Sequence, residues 1–64
     1  MWVGWVRTAP HWGPLGQMPA GEWSIVCTGR TYDECLGRLV AWKPMDEHHL
    51  EKIVKRVGEV PTRD

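Results

Sequence analysis

The sequence predicts a small α+β domain: a two-stranded antiparallel β-hairpin packed on one helix, followed by a second helix. Three observations lead to this. The stretch 31–42 carries a helix start, an apolar stripe and a helix stop. Two segments, about 2–8 and 22–28, have strand composition. A length of 64 residues leaves room for a single small domain.

The first strand reads Trp-Val-Gly-Trp-Val-Arg-Thr. In extended form Trp2, Gly4, Val6 and Thr8 share one face, and Val3, Trp5 and Arg7 share the other. Gly4 inside a strand marks a bulge or a close approach by another chain segment. A long Pro/Gly-rich loop is expected over 9–21, where Pro10, Gly13, Pro14, Gly16, Pro19 and Gly21 argue against regular structure. Loops of this length in compact domains are either functional or disordered. This one carries Trp12, Leu15 and Met18, which do not suit a solvating loop.

The second strand alternates Trp23, Ile25 and Cys27 with Glu22, Ser24, Val26 and Thr28, so Trp23, Ile25 and Cys27 are expected to face the helix. Thr31 can cap that helix, and Glu34 can reach back to the Thr31 amide as a capping box. Tyr32, Cys35, Leu36, Leu39 and Val40 form a buried stripe. Asp33 and Glu34 suit the helix N-terminus, and Lys43 suits its end. Pro44 disfavours helical geometry at the residue before it. Beyond Pro44, Asp46 can cap a second helix at about 46–57, with Leu50, Ile53, Val54 and Val57 as its stripe and Gly58 to end it. The alternative is a third strand at about 51–57, against which the adjacent pair Ile53-Val54 breaks alternation. A flexible tail is expected over 59–64.

Composition narrows the function classes. Eight basic and eight acidic residues balance to zero net charge, which argues against phosphate-driven nucleic-acid binding and a polybasic membrane anchor. No apolar run approaches the roughly 20 residues that span a bilayer. No signal peptide is visible, so the expected location is cytoplasmic.

Cys27 and Cys35 both fall on faces assigned to the core. They read as reduced thiols, with a disulfide as the alternative; their spacing is not that of a zinc module. His11, His48 and His49 read as surface residues. No nucleophile–base motif, phosphate-binding loop or metal-ligand spacing is present, so neither a catalytic residue nor a cofactor is expected.

The anomaly is tryptophan: five Trp, one Tyr and no Phe in a short chain. A small core cannot easily enclose five indoles, each with an N–H to satisfy. Trp23 and Trp2 read as core. With helices on one face of the hairpin, the other face is left with Val3, Trp5 and Val26. These three, with Trp12, Leu15 and Met18 of the loop, form the expected partner-binding surface. An open strand edge adds a way to pair with a second copy or another protein. The expected function is therefore noncatalytic protein binding, by self-association or by docking onto a larger protein. The alternative is a single-stranded nucleic-acid binder that stacks bases on Trp, with Arg7, Arg30 and Arg38 nearby.

The strand followed by Gly29-Arg30-Thr31-Tyr32-Asp33-Glu34-Cys35-Leu36 resembles the strand, Gly-x-Thr-x-x-Glu and helix segment of HicB-type antitoxins. That resemblance implies a small, partly open sheet backed by a helix, with a toxin as partner. The Trp-rich start combined with Thr-Tyr-Asp-Glu-Cys is similar to short uncharacterised bacterial proteins, which implies no activity.

Overall fold

The computed structural model describes residues 1–44 and 49–62. It is α+β. Among the described residues, β1 (Trp2–Thr8), β4 (Ser24–Gly29) and β5 (Leu50–Arg56) form an antiparallel sheet in the order β4-β1-β5. A separate two-stranded hairpin is made by β2 (His11–Gly13) and β3 (Gly16–Met18). One helix, α1 (Tyr32–Ala41), packs across β4 and β1.

The centre of the sheet is β1, and its expected alternation holds. Gly4 lies under α1 beside Leu39 and pairs with Cys27 on β4 and Val54 on β5. Trp2 stands on the same face and meets Tyr32 edge to face at 5.3 Å. Val3, Trp5 and Arg7 point the other way, opposite Lys55, Ile53 and Glu51.

The alternation on β4 fails at one residue. Gly4 pairs with Cys27, but Trp5 pairs with Ile25, so Val26 is a β-bulge. The extra residue flips the strand. Cys27 faces α1, whereas Ile25 shares the face of Trp5 and is 56% exposed. Trp23 also lies on that far face, stacked under Arg7. The expectation that Trp23, Ile25 and Cys27 all face the helix is therefore corrected.

The last element is the strand alternative rather than a helix over 46–57. The expected cap at Asp46 lies outside the described residues. Ile53 and Val54 are half-buried on opposite faces of β5: Ile53 joins Trp5 on one face and Val54 joins Gly4 on the other. Without β5, the second ladder of β1 would leave backbone groups unpaired in the middle of the domain.

Local chemistry fixes α1. Thr31 Oγ1 accepts from the Glu34 amide at 3.1 Å, as a cap should. The Glu34 carboxylate does not return to Thr31; it pairs with Arg38 one turn on, at 3.0 Å. Gly29 lets the first turn settle against β4, since a Cβ there would lie 2.6 Å from the Cys35 nitrogen. Cys35 and Leu39 fill that seam and are fully buried. At the other end Lys52 Nζ, reaching up from β5, donates to the carbonyls of Leu39 at 3.2 Å and Trp42 at 3.1 Å. The Leu39 carbonyl also accepts from the Trp42 amide at 3.2 Å, and both acceptors lie at a helix terminus, where positive charge is favourable.

The far face of the sheet is covered by the chain's own C-terminal segment. Gly58, at φ +92°, turns the backbone after β5. Glu59 N then donates to Arg56 O at 3.0 Å. Pro61 is buried, and the Trp23 indole donates to Thr62 O at 3.1 Å.

Candidate interaction surface

The chain leaves the sheet at the Thr8 end of β1 and returns thirteen residues later. Both strands of this root are tied down. Ala9 N donates to His49 O at 2.6 Å, and Gly21 N donates to Thr8 O at 2.8 Å. His11 stacks on His49 with ring centroids 4.2 Å apart, and its Nδ1 lies 2.9 Å from Ala9 O. Beyond the root, β2 and β3 pair only with each other among the described residues, and no other helix or strand packs against them. The Cα envelope is correspondingly long, 41 × 23 × 12 Å.

This hairpin occupies the stretch expected to be an irregular loop. His11 pairs with Met18, Trp12 with Gln17, and Gly13 with Gly16. The reversal runs through Gly13-Pro14-Leu15-Gly16. Proline suits the second position of such a turn and glycine the fourth, where Gly16 takes φ +110°. That four-residue pattern was the available signal, and three-residue arms are too short to show a period.

The hairpin presents its apolar groups around its outer end rather than on one side. Trp12 is 79% exposed on one face, and Leu15 is 95% exposed at the tip. Met18 lies on the opposite face across Gly13, 39% exposed.

The other three expected surface residues lie elsewhere. Val3 is 6% exposed, so it offers a partner nothing, although it points away from α1. Trp5 is half-buried, and its indole N–H is sealed from solvent with no hydrogen-bond partner among the described residues. It lines a cleft of about 300 Å³ with Glu22, Trp23, Val60 and Pro61. Val26 is half-buried at the bulge. The expected open Trp face is thus covered only in part, with Ile25 still 56% exposed on it, by a segment whose position has no periodic signature in the sequence.

Charge is spent internally as well. Arg7 is 9% exposed; its guanidinium donates to Glu51 Oε2 at 3.0 and 3.2 Å and lies 4.6 Å from the Trp23 ring centre. Arg38 donates to Thr28 O at 2.7 Å, which occupies a backbone acceptor of the outer strand β4. Of the three arginines expected to support base stacking, Arg7 and Arg38 are thereby engaged within the chain. The sheet edges are blunted too: β5 carries Lys52, Lys55 and Arg56, and β4 carries the Val26 bulge.

No helix among the described residues is long and apolar enough to cross a membrane. No protein-family model matches the chain, and no curated protein or solved structure shows significant similarity to it.

Proposed function

We propose that this protein is a noncatalytic binding module that inserts the β2–β3 hairpin into a cleft of a partner protein. One observation carries the reading: Trp12 and Leu15 are 79% and 95% exposed on an arm that no other helix or strand packs against among the described residues. An isolated two-stranded hairpin is marginal in water, and large exposed apolar side chains at its end add to the cost of leaving it free. A partner that closes around the arm would cover Trp12, Leu15 and Met18 together, which a flat surface could not, because they point in different directions. Tryptophan in such a position has the character of a binding hot spot. The partner is another protein or a second copy of the chain.

Sedimentation across a wide concentration range, followed by capture with the tagged protein from its native cell extract, tests this against the double variant Trp12→Ser/Leu15→Ser. The variant should melt at the wild-type temperature, because neither side chain is buried. It should lose the association seen with the wild type, by about 30-fold or more for a hot spot worth at least 2 kcal/mol. An association that survives the double substitution refutes the reading, as does a wild type that neither self-associates nor retains a protein the variant loses.

A further inference from the structure

We propose that Cys27 and Cys35 form a reversible intramolecular disulfide, making the seam between α1 and β4 a redox modification site. Four features of the packing bring the two cysteines together. Cys27 faces α1 because of the Val26 bulge; without it the side chain would share the register of Trp23 and Ile25. Gly4 opposite it leaves the space that the sulfur fills, since a Cβ at Gly4 would run into Cys27 Sγ. Two residues along the same face, Gly29 admits the first turn of α1 so closely that its missing Cβ would lie 2.9 Å from Cys35 Cβ. Cys27 Sγ consequently sits 3.8 Å from the Cys35 carbonyl oxygen, within the residue it must join. A disulfide needs Cβ atoms about 3.5–4.5 Å apart, and a seam with glycine on both sides can close to that separation.

The two thiols differ in access, which sets the order of chemistry. Cys27 is half-buried, whereas Cys35 is wholly buried. Burial first, and the adjacent Cys27 thiol second, push the Cys35 thiol up from its ordinary value. Cys27 is therefore the residue that meets an oxidant, and Cys35 the one that resolves. With glutathione disulfide as oxidant, the Cys27 thiolate attacks one sulfur and releases one glutathione thiolate, leaving a mixed disulfide. The Cys35 thiolate then attacks the Cys27 sulfur and expels the second glutathione thiolate. Two cysteine thiols lose two protons and two electrons, and one glutathione disulfide becomes two glutathione thiols.

The test uses the folded protein. After incubation with glutathione disulfide and quenching with iodoacetamide, whole-protein mass spectrometry should show the loss of two hydrogens, no glutathione adduct and no alkylation. Dithiothreitol should reverse the change. The short closed loop should raise the melting temperature by on the order of 10 °C. Cys35→Ser should stop at a single glutathione adduct on Cys27. Three results overturn the proposal: a wild type that stops at that adduct, one that links into disulfide dimers, or one whose thiols stay free until urea unfolds it. Because the wild type alone decides the matter, a variant that fails to fold leaves the outcome readable.

Discussion

Gly29 carries a sharp test of how α1 is seated. Substitution Gly29→Ala places a methyl 2.6 Å from the Cys35 nitrogen, 2.8 Å from its Cα and 2.9 Å from its Cβ. Carbon contacts are comfortable only from about 3.5 Å, and a backbone cannot swing aside as a side-chain tip can. The first turn of the helix must rise by somewhat less than 1 Å. Overpacking of this kind costs about 1–3 kcal/mol. The lift also loosens Cys35 and Leu39, and a gap of roughly 0.5–1 Å forfeits a quarter to a half of the contact energy on that side. With side-chain burial worth about 1.5–3 kcal/mol for a residue like leucine, the loosening adds about 1 kcal/mol. The total is about 2–4 kcal/mol, against a whole-domain stability of about 3–10 kcal/mol for a chain of this length. The same substitution at Gly37, inside α1 with no heavy atom within 4 Å, should stabilise by about 0.5–1 kcal/mol. Urea unfolding followed by Trp fluorescence separates them: the midpoint falls for Gly29→Ala and rises for Gly37→Ala. A Gly29→Ala protein within about 0.5 kcal/mol of wild type would refute the reasoning.

Three further outcomes are expected. Lys52→Met keeps the aliphatic stem but removes the donor to Leu39 O and Trp42 O, and should cost about 1 kcal/mol. Amide exchange should then quicken at the C-terminal end of α1 before it does in β1. Glu51→Leu leaves the buried Arg7 guanidinium without its carboxylate and should cost about 1–2 kcal/mol, since Glu51 is partly solvated; adding Arg7→Met should recover part of the loss. Cys35 stays protonated in the folded state above its ordinary value of 9.0, while the unfolded chain releases that proton first. Its contribution is full below about pH 9 and is lost as pH rises toward the folded value, so urea midpoints should fall on the alkaline side, less steeply in Cys35→Ala.

What the sequence made legible follows the range of the forces involved. The start of α1 could be placed because Thr31 and its bond to the Glu34 amide are three residues apart. The faces of β1 could be placed because that strand is regular. Val26 gives no such cue: a β-branched residue is at home in a strand, and only pairing with β1 reveals that it is extra. The last element went astray because Leu50, Ile53, Val54 and Val57 satisfy a helical period. Leu50, Ile53 and Val54 instead lie in a strand, whose pairing with β1 puts Ile53 beside Trp5 and Val54 beside Gly4 under α1. Of the candidate surface, Trp12, Leu15 and Met18 stood out as apolar groups in a breaker-rich stretch. Trp5 did not sort correctly, because part of its surroundings, Val60 and Pro61, comes from residues more than fifty positions away.

The sheet order has a consequence for synthesis on the ribosome. β1, the middle strand, is made first; β4 follows, and β5, which completes its pairing, is made last. Until Leu50–Arg56 has emerged, a nascent chain holds Trp2, Val3, Trp5 and Val6 on a strand with at least one unpaired edge. Such a strand readily pairs with a neighbouring chain. The sheet therefore closes only after β5 has emerged, and the protein's yield in the cell should depend on how quickly β5 follows β1 and β4 in translation.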